Sequence, residues 1–243
     1  MSVNPSFAPS PAPHASGAAV VGHAPDAPVI TLRDARVSVV RADTTLLSVP
    51  NLALYPGDRV VVTGPSGSGK SMLLSTLTGR WAAGLRFTGE RTASFDRVGF
   101  VPQRGLDALH PLIGLARQLH RVTGATPARV TEVLHATGLT DPALHRRRPT
   151  EMSGGQQQRA AVALAALTRA PLILADEPTS ALDHDTRDQV LELLLGIVDA
   201  DQVLVVATHD GAVAERLATR RIAVRRGVLT ELPAGRAREE VRG

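Results

Sequence analysis

Cysteine is absent from the 243-residue chain. That excludes a disulfide framework and a thiolate metal site, and it fits a reducing compartment. Aromatic residues make up only 2% of the sequence, and none lies between Phe7 and Tyr55. No apolar run approaches the ~18 residues that a membrane-spanning helix needs. The N-terminus has no basic start followed by an apolar core, so no signal peptide is expected, and any membrane contact is expected to pass through a partner. Neither sign of charge dominates: 27 Lys and Arg stand against 23 Asp and Glu, for a net charge of +4. The high pI reflects arginine abundance rather than a concentrated basic field, so nucleic acid is not implied. Lysine is nearly missing, because Lys70 is the only one among those 27 basic residues.

That lysine sits in Gly64-Pro65-Ser66-Gly67-Ser68-Gly69-Lys70-Ser71, which reads G-x-x-x-x-G-K-[ST], the phosphate-binding loop pattern. The β-branched run Arg59–Thr63 before it reads as a buried strand, and Met72–Thr78 after it as a helix closed by Gly79. In that context the glycines let backbone N–H groups turn inward around a phosphate, and the helix N-terminus adds its positive dipole end. Lys70 would reach the β- and γ-phosphates, and the Ser71 hydroxyl would take a place on Mg²⁺. A compact ammonium sits as a point charge among phosphate oxygens where a planar guanidinium fits poorly. That explains why an arginine-biased chain keeps one lysine here.

Residues 1–28 are rich in Pro, Ala, Ser and Gly and are expected to be a disordered tail. Strands are expected at Val29–Leu32, Val37–Val40, Leu46–Leu54, Val98–Val101, Leu172–Ala175 and Val203–Ala207, with a last edge strand within 221–231. Short helices near Ile113–Val122, Pro127–Thr137 and Pro142–His145 mark a helical subdomain, about 104–165, and longer helices follow at 155–169 and 183–199. Residues 232–243 read as a charged, frayed end. Alternating strands and helices around a phosphate loop argue for an α/β fold with a parallel sheet and helices on both faces.

Further chemistry-bearing stretches follow. Asp176-Glu177 ends the strand Leu172–Ala175. An Asp at the C-terminal end of a buried strand beside a phosphate loop can hold Mg²⁺, usually through water, and Glu177 is placed to polarise a water for in-line attack on a γ-phosphate. Met152-Ser153-Gly154-Gly155-Gln156-Gln157-Gln158-Arg159 opens a helix with Ser153 as N-cap. Two glycines in its first turn leave N–H groups bare, and bare N–H groups bind anions.

Taken in order, these elements make the stretch 29–231 resemble the nucleotide-binding subunits of ATP-binding cassette (ABC) transporters. The correspondence runs through a Walker A loop at 64–71, a Q-loop glutamine at Gln103, a signature at 152–156, a Walker B strand ending in Asp176-Glu177, a D-loop at Ser180–Asp183 and a switch histidine at His209. The resemblance implies a P-loop NTPase cassette: a RecA-like parallel-sheet core, an antiparallel β subdomain and the helical subdomain. It implies ATP and Mg²⁺ as cofactors, with ATP sandwiched head to tail between two cassettes. The loop from Gly64 to Met72 of one copy and Ser153, Gly154, Gly155 and Gln156 of the other would contact the nucleotide. Ser71, Gln103 and Asp176 would serve the metal, Glu177 and His209 the attacking water, and Asp183 the dimer. Integral membrane permease subunits, a second cassette and an extracytoplasmic substrate-binding protein are the expected partners. The expected location is peripheral, at the cytoplasmic face of the membrane.

Two departures stand out. The family places an aromatic against adenine where this chain has Val39-Val40-Arg41-Ala42. Either Arg41 stacks its guanidinium on the base or no stacking partner exists. Met152 stands where leucine is usual, a volume-conserving swap. The segment Arg104–Leu119 resembles dipeptide, oligopeptide and nickel importers, where Leu-x-Pro follows the Q-loop and a helix with Gln-Leu comes next. Import is therefore the expectation, and Pro111 marks the expected docking surface for a permease helix. The alternatives are an exporter-type cassette of lipid or drug class and a soluble ABC ATPase acting on DNA. The latter is disfavoured because only 50 positions separate Gln103 from Ser153, too few for a coiled coil.

Overall fold

The computed structural model describes residues 27–42, 44–180 and 184–233. Nearly all of the Pro/Ala-rich tail, most of the charged C-terminal stretch and Asp183 lie outside the described residues. One nine-stranded sheet organises the chain, in the order β4-β1-β2-β9-β8-β3-β7-β6-β5. Its centre is parallel: β3 (Arg59–Thr63), β7 (Val203–Thr208), β6 (Leu172–Asp176) and β5 (Gly99–Val101) run side by side. The strands β3, β6 and β7 are almost continuous Val, Leu, Ile and Ala because helices cover both faces. The helix α1 (Lys70–Thr78) packs on one side, and α6 (His184–Ile197) and α7 (Gly211–Leu217) join the core on the other.

The flank is antiparallel. β1 (Ile30–Val39) pairs with both β2 (Thr45–Leu54) and β4 (Leu85–Ala93). The sequence suggests two strands where β1 is continuous, because Arg33 and Asp34 are exposed polar positions inside one half-buried strand. β4 carries no expectation at all. Its residues are mostly exposed, so it lacks the apolar alternation that marks a strand. The expected last edge strand is two strands, β8 (Arg220–Arg225) and β9 (Val228–Leu232), and β8 lies inside the sheet, parallel to β3 and antiparallel to β9. Arg226 and Gly227 form the turn between them with φ of 49° and 77°. The antiparallel flank joins the parallel centre through a single pair, Ser48 with Val228. Arg220 reinforces that seam, donating to Ala53 O at 2.8 Å while pairing with Asp58 at 2.6 Å and Glu231 at 2.9 Å. Arg91 of β4 donates to Thr76 O and Leu77 O, at 3.1 and 2.7 Å, the bare carbonyls at the C-terminus of α1.

The helices α2 (Leu115–Thr123), α3 (Pro127–Ala136) and α4 (Pro142–Arg146) form a second core around Leu115, Leu119, Leu134 and Leu139. α5 (Gly154–Leu167) stands between the two cores. Ala161, Val162 and Ala165 face the sheet, while Ala160, Ala163 and Leu167 face the helices. Small side chains all round allow that double approach. Met152 is buried in the helical core, filling the space of the usual leucine. A Cβ on Gly105 would come within 2.3 Å of the Gln157 carbonyl, so only glycine lets the stretch after Gln103 lie on α5.

Candidate functional site: a phosphate-binding cavity

The loop between β3 and α1 bends through Gly64, Gly67 and Gly69, with φ of 157°, 74° and 111°. At Gly64 a Cβ would meet Val224 O at 2.3 Å and Ser68 Oγ at 2.6 Å. The loop is tied from behind: Gly227 N–H donates to Ser68 O at 2.8 Å. Gly69 caps α1 without a side-chain acceptor, so the first turn presents its N–H donors to the cavity. Ser68 Oγ is buried and has no protein partner.

Lys70 is buried, with 7% of its side chain exposed. Its ammonium donates to Gly64 O at 2.9 Å and Pro65 O at 3.3 Å, and lies 3.2 Å from Glu177 Oε1. The other Glu177 oxygen, Oε2, lies 2.7 Å from His209 Nδ1. A carboxylate only accepts, so Nδ1 carries the proton. Glu177 directly follows β6 with φ of 47°, and its N–H donates to Ala207 O on β7 at 2.8 Å. A left-handed backbone at a non-glycine residue costs of order 1–3 kcal/mol and persists only where surrounding structure fixes it. Gln103 donates to Ser180 Oγ at 3.0 Å, and Ser180 Oγ donates to Glu177 O at 3.0 Å. Burial pushes the Asp176 carboxyl above the usual carboxylate range, and the neighbouring Glu177 charge adds to this. The Ser71 hydroxyl bonded to Asp176 and the Lys70 charge oppose it.

These groups enclose a cavity of about 730 Å³. Pro65, Ser66, Gly67, Gly69, Lys70, Ser71 and Met72 form one wall, and Gln103, Asp176, Glu177, Ser180 and His209 the other. Leu46 of β2 also lines it, and its position had no signal in the sequence because a strand residue two elements away carries no motif. Ser180 is likewise a lining residue, although the sequence marks it only within the D-loop. Among the described residues no three His, Asp or Glu groups converge on one metal position. Ser71 and Asp176 supply two oxygens, so a cation there takes its remaining ligands from phosphate and water. That donor set suits Mg²⁺, which retains waters and shares phosphates.

Other expected residues lie elsewhere. Arg41 is exposed on the turn after β1 and is not among the lining residues. Ser153, Gly154, Gly155 and Gln156 form the start of α5 and do not line the cavity either. There Ser153 Oγ accepts from Gln156 N–H at 3.3 Å, and Gln156 Oε1 accepts from Ser153 N–H at 3.0 Å, a reciprocal capping box.

A glycine-rich loop opening a helix, an acid pair at a strand end and a separate glycine-opened helix match a known pattern at sequence level. Residues 47–180 match the family described as ABC transporter. The chain belongs to the ABC transporter family. A lipoprotein-releasing system ATP-binding protein, LolD, from Nitrobacter hamburgensis is 34% identical over 86% of this chain and 98% of its own length. The macrolide export ATP-binding/permease protein MacB from an Azoarcus species is 36% identical over 79% of this chain, but the match spans only 31% of that longer protein. Among solved structures, the dimeric ABC transporter cassette MJ0796 superposes with a TM-score of 0.68 at 30% identity, covering 85% of this chain and all of that one. The same cassette in a post-hydrolysis state bound to ADP and phosphate superposes with a TM-score of 0.69 at 28% identity.

The protein is therefore an ABC cassette, the ATP-binding subunit of a transporter, and an ATPase that uses ATP with Mg²⁺. Among the described residues no helix is long and apolar enough to cross a membrane. The importer branch expected from Arg104–Leu119 is corrected by these relatives, which are named for lipoprotein release and macrolide export. The fold gives the reason. Gln118, 5% exposed, donates to His110 O and Ile113 O at 3.2 and 2.8 Å and accepts from His110 N–H at 2.8 Å. The Pro-turn and Gln-Leu pattern is accounted for by this loop clasp, which Thr150 Oγ1 also ties down by donating to Pro111 O at 3.2 Å.

Proposed function

We propose that this cassette powers the outward movement or release of lipid-anchored or amphiphilic cargo through a separate permease. The observation that carries this reading is the match along 98% of the length of LolD, a stand-alone ATP-binding protein, against a match to only a third of MacB, which carries its own permease. The test is to reconstitute the subunit with its permease in liposomes and follow ATP-dependent transfer of a fluorescent lipopeptide to an outside acceptor. Transfer with no binding protein present is expected. Hydrolysis that instead rises only with a loaded solute-binding protein, with inward transport, overturns the reading.

Within the cavity, we assign the phosphates to the Gly64–Ser71 loop and Lys70, and the cation to Ser71 and Asp176. Mg²⁺, when bound, neutralises charge on the β- and γ-phosphates. Both Glu177 oxygens are engaged, one by Lys70 and one by His209. Phosphate oxygens compete for the Lys70 ammonium, which then leaves Glu177. Oε1 is thereby freed to take a proton from an attacking water while Oε2 stays on His209. Gln103 hangs over this edge of the cavity and links it to the 104–119 loop and the permease. The α5 N-terminus of a second copy, with Ser153, Gly154, Gly155 and Gln156, closes the open side, and Asp183 bridges the two copies. Glu177→Gln is expected to retain nucleotide binding and to accumulate an ATP-bound dimer, visible by size-exclusion chromatography. Turnover at the wild-type rate would remove Glu177 from the role of base.

A further inference from the structure

The His209 side chain is 64% exposed, against 15% for the Glu177 it contacts. A ring that free needs its backbone fixed from behind if Nδ1 is to stay on Glu177. The residue that does this is its neighbour. Asp210 N–H donates to Thr208 Oγ1 at 3.0 Å, Asp210 Oδ1 accepts from Ala212 N–H at 2.9 Å as the N-cap of α7, and Asp210 Oδ2 accepts from Arg187 Nη1 at 2.9 Å. Arg187 comes from the first turns of α6, the helix that begins directly after residues 181–183. Both partners are largely shielded, with side-chain exposures of 27% and 28%. Arg187 Nε is buried without a hydrogen-bond partner, its nearest carboxylate being Asp188 at 3.8 Å. Among the described residues, the guanidinium makes its short ion pair with Asp210. A second arginine, Arg216 of α7, pairs with Asp188 and Glu192 of α6, a further tie between the two helices.

We propose that Arg187 is a positioning residue for His209: it locks Asp210, and through it the backbone that aims the His209 ring at Glu177. The pair makes the orientation of His209 depend on where α6 sits. Because α6 follows the stretch expected to meet a second cassette, dimer contact would reach the reacting groups through Arg187. The inference rests on the role given to His209 above, and the experiment separates the two.

The full chain is labelled at histidine, and the His209 imidazole resonance is identified by its loss in His209→Ala. Arg187→Gln is expected to move that resonance, and Arg187→Lys, which keeps a cation beside Asp210, to restore it in large part. In the complex with its permease, Arg187→Gln is expected to lower kcat about tenfold to a hundredfold, the range for a displaced catalytic group. KM should stay within about twofold, as for an interaction made only in the transition state. In a His209→Ala background the same substitution should change residual kcat no further, because both act as one unit. A purely structural ion pair would lower the melting temperature equally in both backgrounds and leave the kinetic losses multiplicative. An unmoved His209 resonance, or multiplying losses, overturns the proposal. Wild-type hydrolysis by His209→Ala would remove the catalytic role of His209, while the resonance still decides whether Arg187 sets its ring.

Discussion

The phosphate loop and the start of α5 are both glycine-rich helix N-termini, yet they are built in opposite ways. The loop is fastened on all sides: Gly227 holds Ser68, Val224 crowds Gly64, and the Lys70 ammonium is spread over two carbonyls and Glu177. It encloses a cavity within one chain. The α5 start is capped by its own Ser153–Gln156 box, and Ser153 and Gly154 are exposed and outside the cavity's lining. One lines a cavity within a single copy. The other is a locally capped helix start outside that cavity. The dimeric form of the related cassette MJ0796 shows that such units associate.

The sharpest way to break this contrast is to damage each end separately. Lys70→Ala should abolish nucleotide binding by the isolated chain, measured with a fluorescent nucleotide, and reduce hydrolysis by at least about a hundredfold, as for loss of a preorganised charge. Gly154→Asp should leave that binding within about threefold, since the α5 start is remote from the cavity, while placing a carboxylate against phosphate and stopping hydrolysis by the assembled complex. Equal loss of binding in both variants would show that the two ends act within one chain.

Asp176 sharpens the same contrast from the side of stability. Its carboxyl is raised by burial, so its contribution to folding is present at acid pH and lost as pH rises through the folded value. At neutral pH the charged form is held at a cost. Asp176→Asn should therefore raise the melting temperature at pH 7 to 8, and the gain should vanish towards acid pH, where the wild-type carboxyl is also neutral. Mg²⁺-dependent hydrolysis should be lost. A melting temperature lowered at neutral pH would contradict this account.

Smaller effects are expected where the cavity meets the nucleoside. Leu46 and Met72 line it with flexible apolar side chains, and none of the lining residues is Phe, Tyr or Trp. Leu46→Ala should weaken nucleotide affinity more than Arg41→Ala, and kcat/KM for GTP should lie within about tenfold of that for ATP, because one or two lost base contacts amount to roughly 1–2 kcal/mol. Strong preference for ATP would show that something outside this cavity reads the base. The smallest effect is Ser153→Ala, which removes a cap bond and should cost about 1 kcal/mol, a fall of about 2–4 °C in melting temperature for a chain of this size.

The two poles of the site were readable in the sequence to different depths. The phosphate loop, Asp176, Glu177 and His209 each follow a buried run of β-branched or aliphatic residues, so their place at a strand end could be argued from neighbours alone. β4 was not readable, since its mostly exposed positions leave little periodicity, and β8–β9 was readable only as one edge strand, because the two-residue turn at Arg226-Gly227 hardly interrupts the run. The Arg104–Leu119 segment misled in another way, because its Pro and Gln pattern is dictated by a local loop clasp. Leu46 and Arg187 lie in an expected strand and an expected helix, but neither belongs to a motif that ties it to the site.

Local chemistry along the chain determined the catalytic vocabulary: one lysine among arginines, glycines where the backbone must turn, and carboxylates at the ends of apolar strands. These are constraints a residue feels from its own neighbours. Tertiary structure decided everything that depends on distant segments meeting. It placed Lys70 3.2 Å from Glu177 and His209 2.7 Å from the other oxygen of that carboxylate. It set Arg187 against Asp210, and it left the α5 start outside the lining of the cavity. Those relations follow from sheet order and helix packing, which bring together residues far apart along the chain, and no local pattern encodes them.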